Sequence, residues 1–335
     1  CTPAMVHYPM LVAGLKAGKH VICEKPLVGS LAEVDEIIAL EQQSRGKLMP
    51  VFQYRFGNGI EQVKRIIEAG IAGKPYVGTV ETLWRREADY FAVPWRGKWK
   101  TELGGVLMGH AIHPHDMFCY LMGPLKSLYG RVATRVNPIE VEDCISASVE
   151  LESGALGSFT ASLGSADEIT RLRLVFDNLT IESDHAPYNP GAALWKILPR
   201  NDGTKSAIAD LLKDWRDVPP RFTTQMARFY DALLGRGPLP VTTADSRQAL
   251  EIVTAFYYSS LTHQEVVFPI GTDHPKYQSW LPEGFVGARQ ASVSSRSSSA
   301  TAISKSCTAS PSTSSQASSW CSSALRAAAS PRCSA

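Results

Sequence analysis

Two short stretches of this chain combine residue types and spacings that could carry chemistry. In the first, Ala17-Gly18-Lys19-His20-Val21-Ile22-Cys23-Glu24-Lys25-Pro26-Leu27, a glycine-stopped helix feeds a short apolar strand whose carboxyl end presents Glu24, Lys25 and Pro26. Ligands of open parallel sheets gather at strand carboxyl ends. On composition alone Lys25 also reads as an ordinary solvated lysine. The second stretch, Gly104-Gly105-Val106-Leu107-Met108-Gly109-His110-Ala111-Ile112-His113-Pro114-His115-Asp116, places three histidines and an aspartate in seven residues. On a helix His113 and Asp116 share a face, so the carboxylate could orient the imidazole and raise its basicity, as a general base requires. His110, three residues before His113, keeps a metal reading open, but zinc needs further ligands that the chain does not obviously supply. A plain capping or packing cluster is the bland alternative. Pro114 predicts that the helix starts here.

The elements that must position these residues follow from periodicity. Residues 7–17 predict a helix and residues 20–23 a strand. Ser30 with Glu33 caps a helix bearing Leu31, Val34, Ile37 and Ile38, residues 48–52 form a second buried strand, and Asn58 with Glu61 caps a helix bearing Ile60, Val63, Ile66 and Ile67. Strand and helix alternating in short units imply a parallel sheet. Beyond residue 75 the texture changes to β-rich stretches at 76–87, 127–136, 144–152, 156–163 and 169–183, flanked by helices near 110–122, 223–235 and 244–262. An α+β unit with a mixed, largely antiparallel sheet follows. The organisation read here is residues 1–57 as the second half of a nucleotide-binding domain, 58–284 as the α+β domain, and 285–335 as a Ser/Ala-rich tail, disordered or non-native.

That tail has no Asp or Glu, and without its five basic residues the formal charge of +2 becomes −3, so the charge gives no ground for a nucleic-acid partner. No apolar run is long enough for a membrane span, and Cys1 to Gly14 lacks the pattern of a secretory leader, which leaves the cytoplasm as the default. Seven cysteines without a C-x-x-C pair read as reduced thiols.

Taken in order, Ala-Gly-Lys-His-Val then Glu-Lys-Pro, led by Thr2-Pro3 and His7, and Gly-Gly-x-Leu-Met ending in His113 and Asp116, resemble the glucose-fructose oxidoreductase, inositol dehydrogenase and MocA (Gfo/Idh/MocA) family over roughly residues 1–270. The resemblance implies a Rossmann domain followed by an α+β domain, and hydride transfer between a sugar, cyclitol or polyol hydroxyl and NAD or NADP. It implies that Lys25 bonds the substrate hydroxyl, that His113 takes its proton, and that Thr2, Pro3, His7, Glu24, Lys25 and Pro26 lie along the cofactor. A cis Lys25-Pro26 bond and a homo-oligomer joined through the second domain's sheet belong to the same expectation. Arg55, in Gln53-Tyr54-Arg55-Phe56, is placed to line cofactor or substrate, and Trp95, Arg96 and His110 to meet the substrate; an arginine lying over Trp95 or Trp99 is the plainer reading of Arg96.

Two departures stand out. Many family members carry Asp four residues before the histidine, where this chain has Gly109, so Asp116 or His110 would have to support His113. The G-x-G-x-x-G fingerprint is also absent, which leaves NAD and NADP undistinguished and reads as a chain lacking the front of its nucleotide domain, with neighbours missing from Leu11, Leu15, Ile37 and Ile38. Rival readings are a redox-silent dinucleotide-binding regulator, and an enzyme that uses NAD transiently for sugar hydrolysis or epimerisation.

Overall fold

In the computed structural model, residues 2–285 are described; the tail expectation for 286–335 lies outside them. The chain begins with helix α1 (His7–Lys16), strand β1 (Val21–Cys23), helix α2 (Leu31–Gln43) and strand β2 (Leu48–Pro50). β1 and β2 pair in parallel, Val21 opposite Leu48 and Cys23 opposite Pro50, as the alternation predicted. α2 starts where Ser30 Oγ accepts the Glu33 N–H at 3.1 Å. Leu11, Leu15 and Ile37 are fully buried and Ile38 partly so, which corrects the expectation that their faces lie bare; on this side it is Met10 and Ile22 that are exposed.

Helix α3 (Asn58–Glu68) begins at its presumed cap residue, one position early. The Asn58 side chain does not cap it, because its oxygen accepts from Trp215 Nε1 at 3.1 Å and Val218 N at 2.8 Å, tying a later loop to this end. Then come β3 (Pro75–Arg85), two single-turn helices α4 (Ala88–Phe91) and α5 (Trp99–Glu102), a π-helical turn Leu107–Ala111, and α6 (Ile112–Met122). The remaining elements are β4 (Leu125–Ala133), β5 (Cys144–Leu151), β6 (Leu156–Ser162), β7 (Gly164–Phe176), β8 (Leu179–Glu182), β9 (Lys196–Pro199), α7 (Asp202–Leu212), α8 (Phe222–Leu233), α9 (Thr243–Thr262) and β10 (Val266–Val267). The single run expected at 169–183 is therefore two strands, and β9 and α7 carried no clear period.

Eight of these strands form one sheet in the order β10-β4-β5-β6-β3-β7-β8-β9, antiparallel throughout except where β3 meets β6. Alternation is plain in β6, where Gly157, Phe159 and Ala161 are buried while Leu156, Ser158 and Thr160 face out. α6 lies on the buried face across β3 and β7, and α9 runs along β4. One pair of glycines sets how deeply α6 sits. Gly78 and Gly157 are directly opposed across β3 and β6, and a Cβ on either would come within 2.5 or 3.0 Å of the Phe118 ring. The sheet thus has a dent that receives Phe118, and α6 is brought down with its histidines against the sheet.

The candidate active site

Lys25 leaves the carboxyl end of β1 on a cis Lys25-Pro26 bond, as expected. His7 braces this turn: Nδ1 lies 2.8 Å from the Pro26 carbonyl and Nε2 3.1 Å from that of Thr2. The His7 ring thus lies between two backbone carbonyls and joins two segments. Thr2 and Pro3 are exposed, and the Glu24 carboxylate has no hydrogen bond among the described residues.

The Lys25 ammonium reaches across to the π-helical turn, donating to the Met108 carbonyl at 3.2 Å and to that of Gly109. In π-helical register the donor to Gly109 O would come from residue 114, and Pro114 has no N–H to give. The Lys25 ammonium donates to that carbonyl. Burial brings its pKa down to about 8, against the opposing pull of Glu24 and Glu102. The turn itself is held by a residue that sequence reasoning passed over. Glu142, buried, accepts from Gly105 N at 2.9 Å and Leu107 N at 3.0 Å through Oε1, and from the Tyr257 hydroxyl at 2.8 Å through Oε2. A side chain at Gly105 would strike the Glu142 carbonyl at 1.7 Å, so Gly105 is required by close backbone approach, while a Cβ at Gly104 would meet the Tyr257 hydroxyl at 2.4 Å.

α6 does not start at Pro114 but continues from the π-helical turn, and carries His113 into the cleft. Its ring, 5% exposed, stacks on Tyr54 with centroids 4.7 Å apart and meets the edge of Phe52 at 5.9 Å. Neither ring nitrogen is hydrogen-bonded among the described residues. Burial, then the charges of Lys25 and Arg221, hold its pKa well below the ordinary histidine value, so the imidazole is neutral at pH 7.

The expected support from Asp116 is not there. Its carboxylate takes Arg55 Nε at 2.7 Å and Nη2 at 2.5 Å, and Arg55 Nη1 reaches Asp245 at 3.0 Å. This pair is buried, with burial raising Asp116 to about 6 against the pull of Arg55. Asp116 and Arg55 therefore pin α6 to the start of α9, and the carboxylate expected to orient His113 is spent on a bidentate pair inside the fold. His110 does not support His113 either, since its ring lies against Trp84, centroids 4.7 Å apart, and Tyr90. His115 sits between Phe159 and Phe256, centroids at 4.4 and 5.8 Å, with neither nitrogen bonded, as a core ring. Among the described residues no three His, Cys, Asp or Glu side chains cluster as metal ligands.

The cleft wall beyond His110 is aromatic and cationic. Trp84 packs on Tyr188, centroids 4.6 Å apart, and Arg86 lies over both, bonded to the Tyr188 hydroxyl at 2.6 Å and paired with Glu168. Arg96 lies over Tyr90 at 3.8 Å and the exposed Trp95 at 4.5 Å, the stacked arrangement weighed for it from sequence. Tyr188, Arg86 and Arg221 gave no sequence signal, being lone residues in loops or at strand ends.

Residues 1–52 match the family described as oxidoreductase, NAD-binding Rossmann fold, and residues 60–182 match the GFO/IDH/MocA C-terminal domain, more than half of the chain between them. The chain belongs to the Gfo/Idh/MocA oxidoreductase family. It is 34% identical over 127 residues to a myo-inositol 2-dehydrogenase of Thermotoga maritima, covering 37% of this chain and 35% of that one. To a D-glucoside 3-dehydrogenase of Escherichia coli it is 25% identical over 288 residues, 79% and 77% of the two chains. It spans about half the length, or less, of several curated relatives it matches. Among solved structures, the WlbA dehydrogenase of Bordetella pertussis, in complex with NADH and UDP-GlcNAcA, superposes with a TM-score of 0.70 at 24% identity, covering 81% and 78%. No helix among the described residues is long and apolar enough to cross a membrane.

Proposed function

We propose that this chain carries the substrate-side machinery of an NAD(P)-dependent dehydrogenase that oxidises a hydroxyl of a sugar, cyclitol or related polyol. The observation that supports this best is the meeting of Lys25, from the end of β1, with the turn that leads into His113, 88 residues later. Oxidising an alcohol removes a hydride and a proton. The nicotinamide supplies the hydride acceptor; the protein must deal with the proton. The half-buried Lys25 ammonium, exchanging a carbonyl for the substrate oxygen, would stabilise developing alkoxide, and the neutral, unbonded His113 imidazole would accept the proton. Exposed Thr2 and Pro3, the unpaired Glu24 carboxylate and cis Pro26 form a surface beside Lys25 that suits a dinucleotide, Glu24 as acceptor for ribose hydroxyls; His7 would act from behind. Trp95, Arg96 and His110 would face the sugar.

The inositol, glucoside and levoglucosan dehydrogenases among its relatives favour a polyol substrate. Reduced Cys23, Cys119 and Cys144 suit a cytoplasmic setting, and the polar outer face of the large sheet, with Ser146, Ser148, Ser158 and Thr160, suits pairing with a second copy, which sedimentation velocity would detect. The mechanism is tested by Lys25→Met in a protein whose nucleotide domain is complete, the chain alone being expected inactive; kcat should fall about a hundredfold or more while the Kd for NADH changes less than about threefold. Equal loss of cofactor binding would make Lys25 structural. No net absorbance change at 340 nm with any sugar would favour the redox-silent or transient-NAD readings.

A further inference from the structure

Arg221 is the residue of the cleft whose placement the mechanism leaves unused. It precedes α8 with φ 59° and ψ −131°, a backbone conformation that a residue with a side chain adopts at a cost. Its N–H is bonded to the Phe56 carbonyl at 3.1 Å, which fixes it next to the Gln53–Phe56 segment on whose Tyr54 ring His113 stacks. Its guanidinium lies 5.4 Å from the Phe222 ring centre, Nε is buried without a partner, and no carboxylate pairs with it among the described residues. A guanidinium carried on a backbone held in place, with its Nε buried and unspent, is set up for an anion.

We propose that Arg221 grips the carboxylate of a sugar acid, so that the substrate of this cleft is anionic and its reacting hydroxyl lies between Lys25 and His113. The proposal deepens the dehydrogenase reading above and rests on it for the position of that hydroxyl. The surrounding charges agree. His113 feels Lys25 and Arg221, His110 feels Lys25, Arg86 and Arg96, and Tyr54 feels Arg221 and Arg86. Against these four cations stand Glu168, already paired with Arg86, and Glu24 and Glu102, which act on Lys25. The wall near His113 is left with positive charge in excess, which a neutral sugar does not offset and a carboxylate does.

Calorimetric titration of the full chain with D-glucuronate and D-glucose tests this, using wild type, Arg221→Gln, Arg221→Lys and Arg221→Gly. Wild type should bind glucuronate at least tenfold more tightly than glucose, and Arg221→Gln should erase that preference, with Arg221→Lys intermediate because the charge stays and the fork is lost. Arg221→Gly should also lose the preference while its melting temperature rises, since glycine carries no penalty at φ 59°; a residue retained only for structure would lower it. Equal affinity for the two sugars in wild type, binding of neither at millimolar concentration, or an unchanged preference in Arg221→Gln overturns the proposal. Turnover of neutral polyols alone, read at 340 nm, would overturn it while leaving the dehydrogenase reading intact; absence of turnover with every sugar, together with Arg221-dependent glucuronate binding, would sink the dehydrogenase reading and not the anion site.

Discussion

Gly109 stands where the family resemblance leads one to expect aspartate, and placing a carboxylate there is a perturbation whose size can be worked out. A Cβ at Gly109 meets no atom within 4 Å, and its φ is not in the left-handed region, so Gly109→Asp introduces neither clash nor strain. Its backbone oxygen already accepts from Lys25 Nζ, so the position adjoins the ammonium, and an aspartate rotamer turned toward it would hold its charge roughly 5 Å away. At an effective dielectric near 20 that interaction is worth about 3 kcal/mol, or about two pH units of Lys25 titration. The Lys25 pKa should therefore rise from about 8 to about 10. Wild-type Lys25 titrates below the ordinary lysine value of 10.5, so at pH 7 the fold carries the cost of a desolvated ammonium, a cost that fades as pH rises through 8 to 10.5. The introduced carboxylate relieves part of it, and after its own desolvation the variant should gain about 1–2 kcal/mol at pH 7 and progressively less above pH 8. The assay is the pH dependence of Lys25 acetylation, read by mass spectrometry, beside melting curves at pH 7 and 10. A labelling midpoint that stays near 8, or a lower melting temperature at pH 7, would refute the electrostatic account of this cleft.

Two other perturbations separate structure from chemistry. His115 is held near pKa 3 by burial, against 6.5 in the unfolded chain, so each pH unit below 6.5 costs about 1.4 kcal/mol that the unfolded state does not bear; His115→Phe, keeping the stacked ring between Phe159 and Phe256, should flatten the loss of melting temperature between pH 6.5 and 4, and an unchanged slope would assign that loss elsewhere. Glu142, raised to about 7 by burial, receives two backbone N–H groups and one hydroxyl; Glu142→Ala strands three donors and should lose about 3–5 kcal/mol by urea unfolding, whereas Glu142→Gln, which keeps the acceptor oxygen, should lose less than about 1 kcal/mol.

What could be read from the sequence was what local pattern encodes. The βαβ unit around β1 and β2 follows from alternating periods, and Lys25 and His113 from motifs within a dozen residues each. What escaped depends on contacts far apart in sequence. Asp116 is three residues from His113, and helical spacing alone made them partners; the tertiary fold instead presents Asp116 to Arg55, a fully charged donor fork that outcompetes a neutral imidazole for a buried carboxylate. Glu142 serves the Gly-Gly turn from 37 residues away, and no local pattern marks it.

Gly109 is compatible with the proposed mechanism. Without a carboxylate beside it, Lys25 is held by two carbonyls, which orient an ammonium without neutralising it, and burial leaves it near pKa 8. Such a lysine remains protonated at pH 7 yet gives up its proton more readily than an ion-paired one. Its charge also reaches His113, which is kept neutral by burial, by Lys25 and by Arg221 together. On the proposed mechanism the His113 imidazole is already deprotonated without an aspartate beside it. Its weakness as a base is offset if the product of proton transfer, an imidazolium among cations, faces a substrate carboxylate on Arg221. The absent aspartate and the unpaired arginine are then two sides of one electrostatic arrangement, in which the substrate brings the negative charge that the protein at Gly109 does not supply.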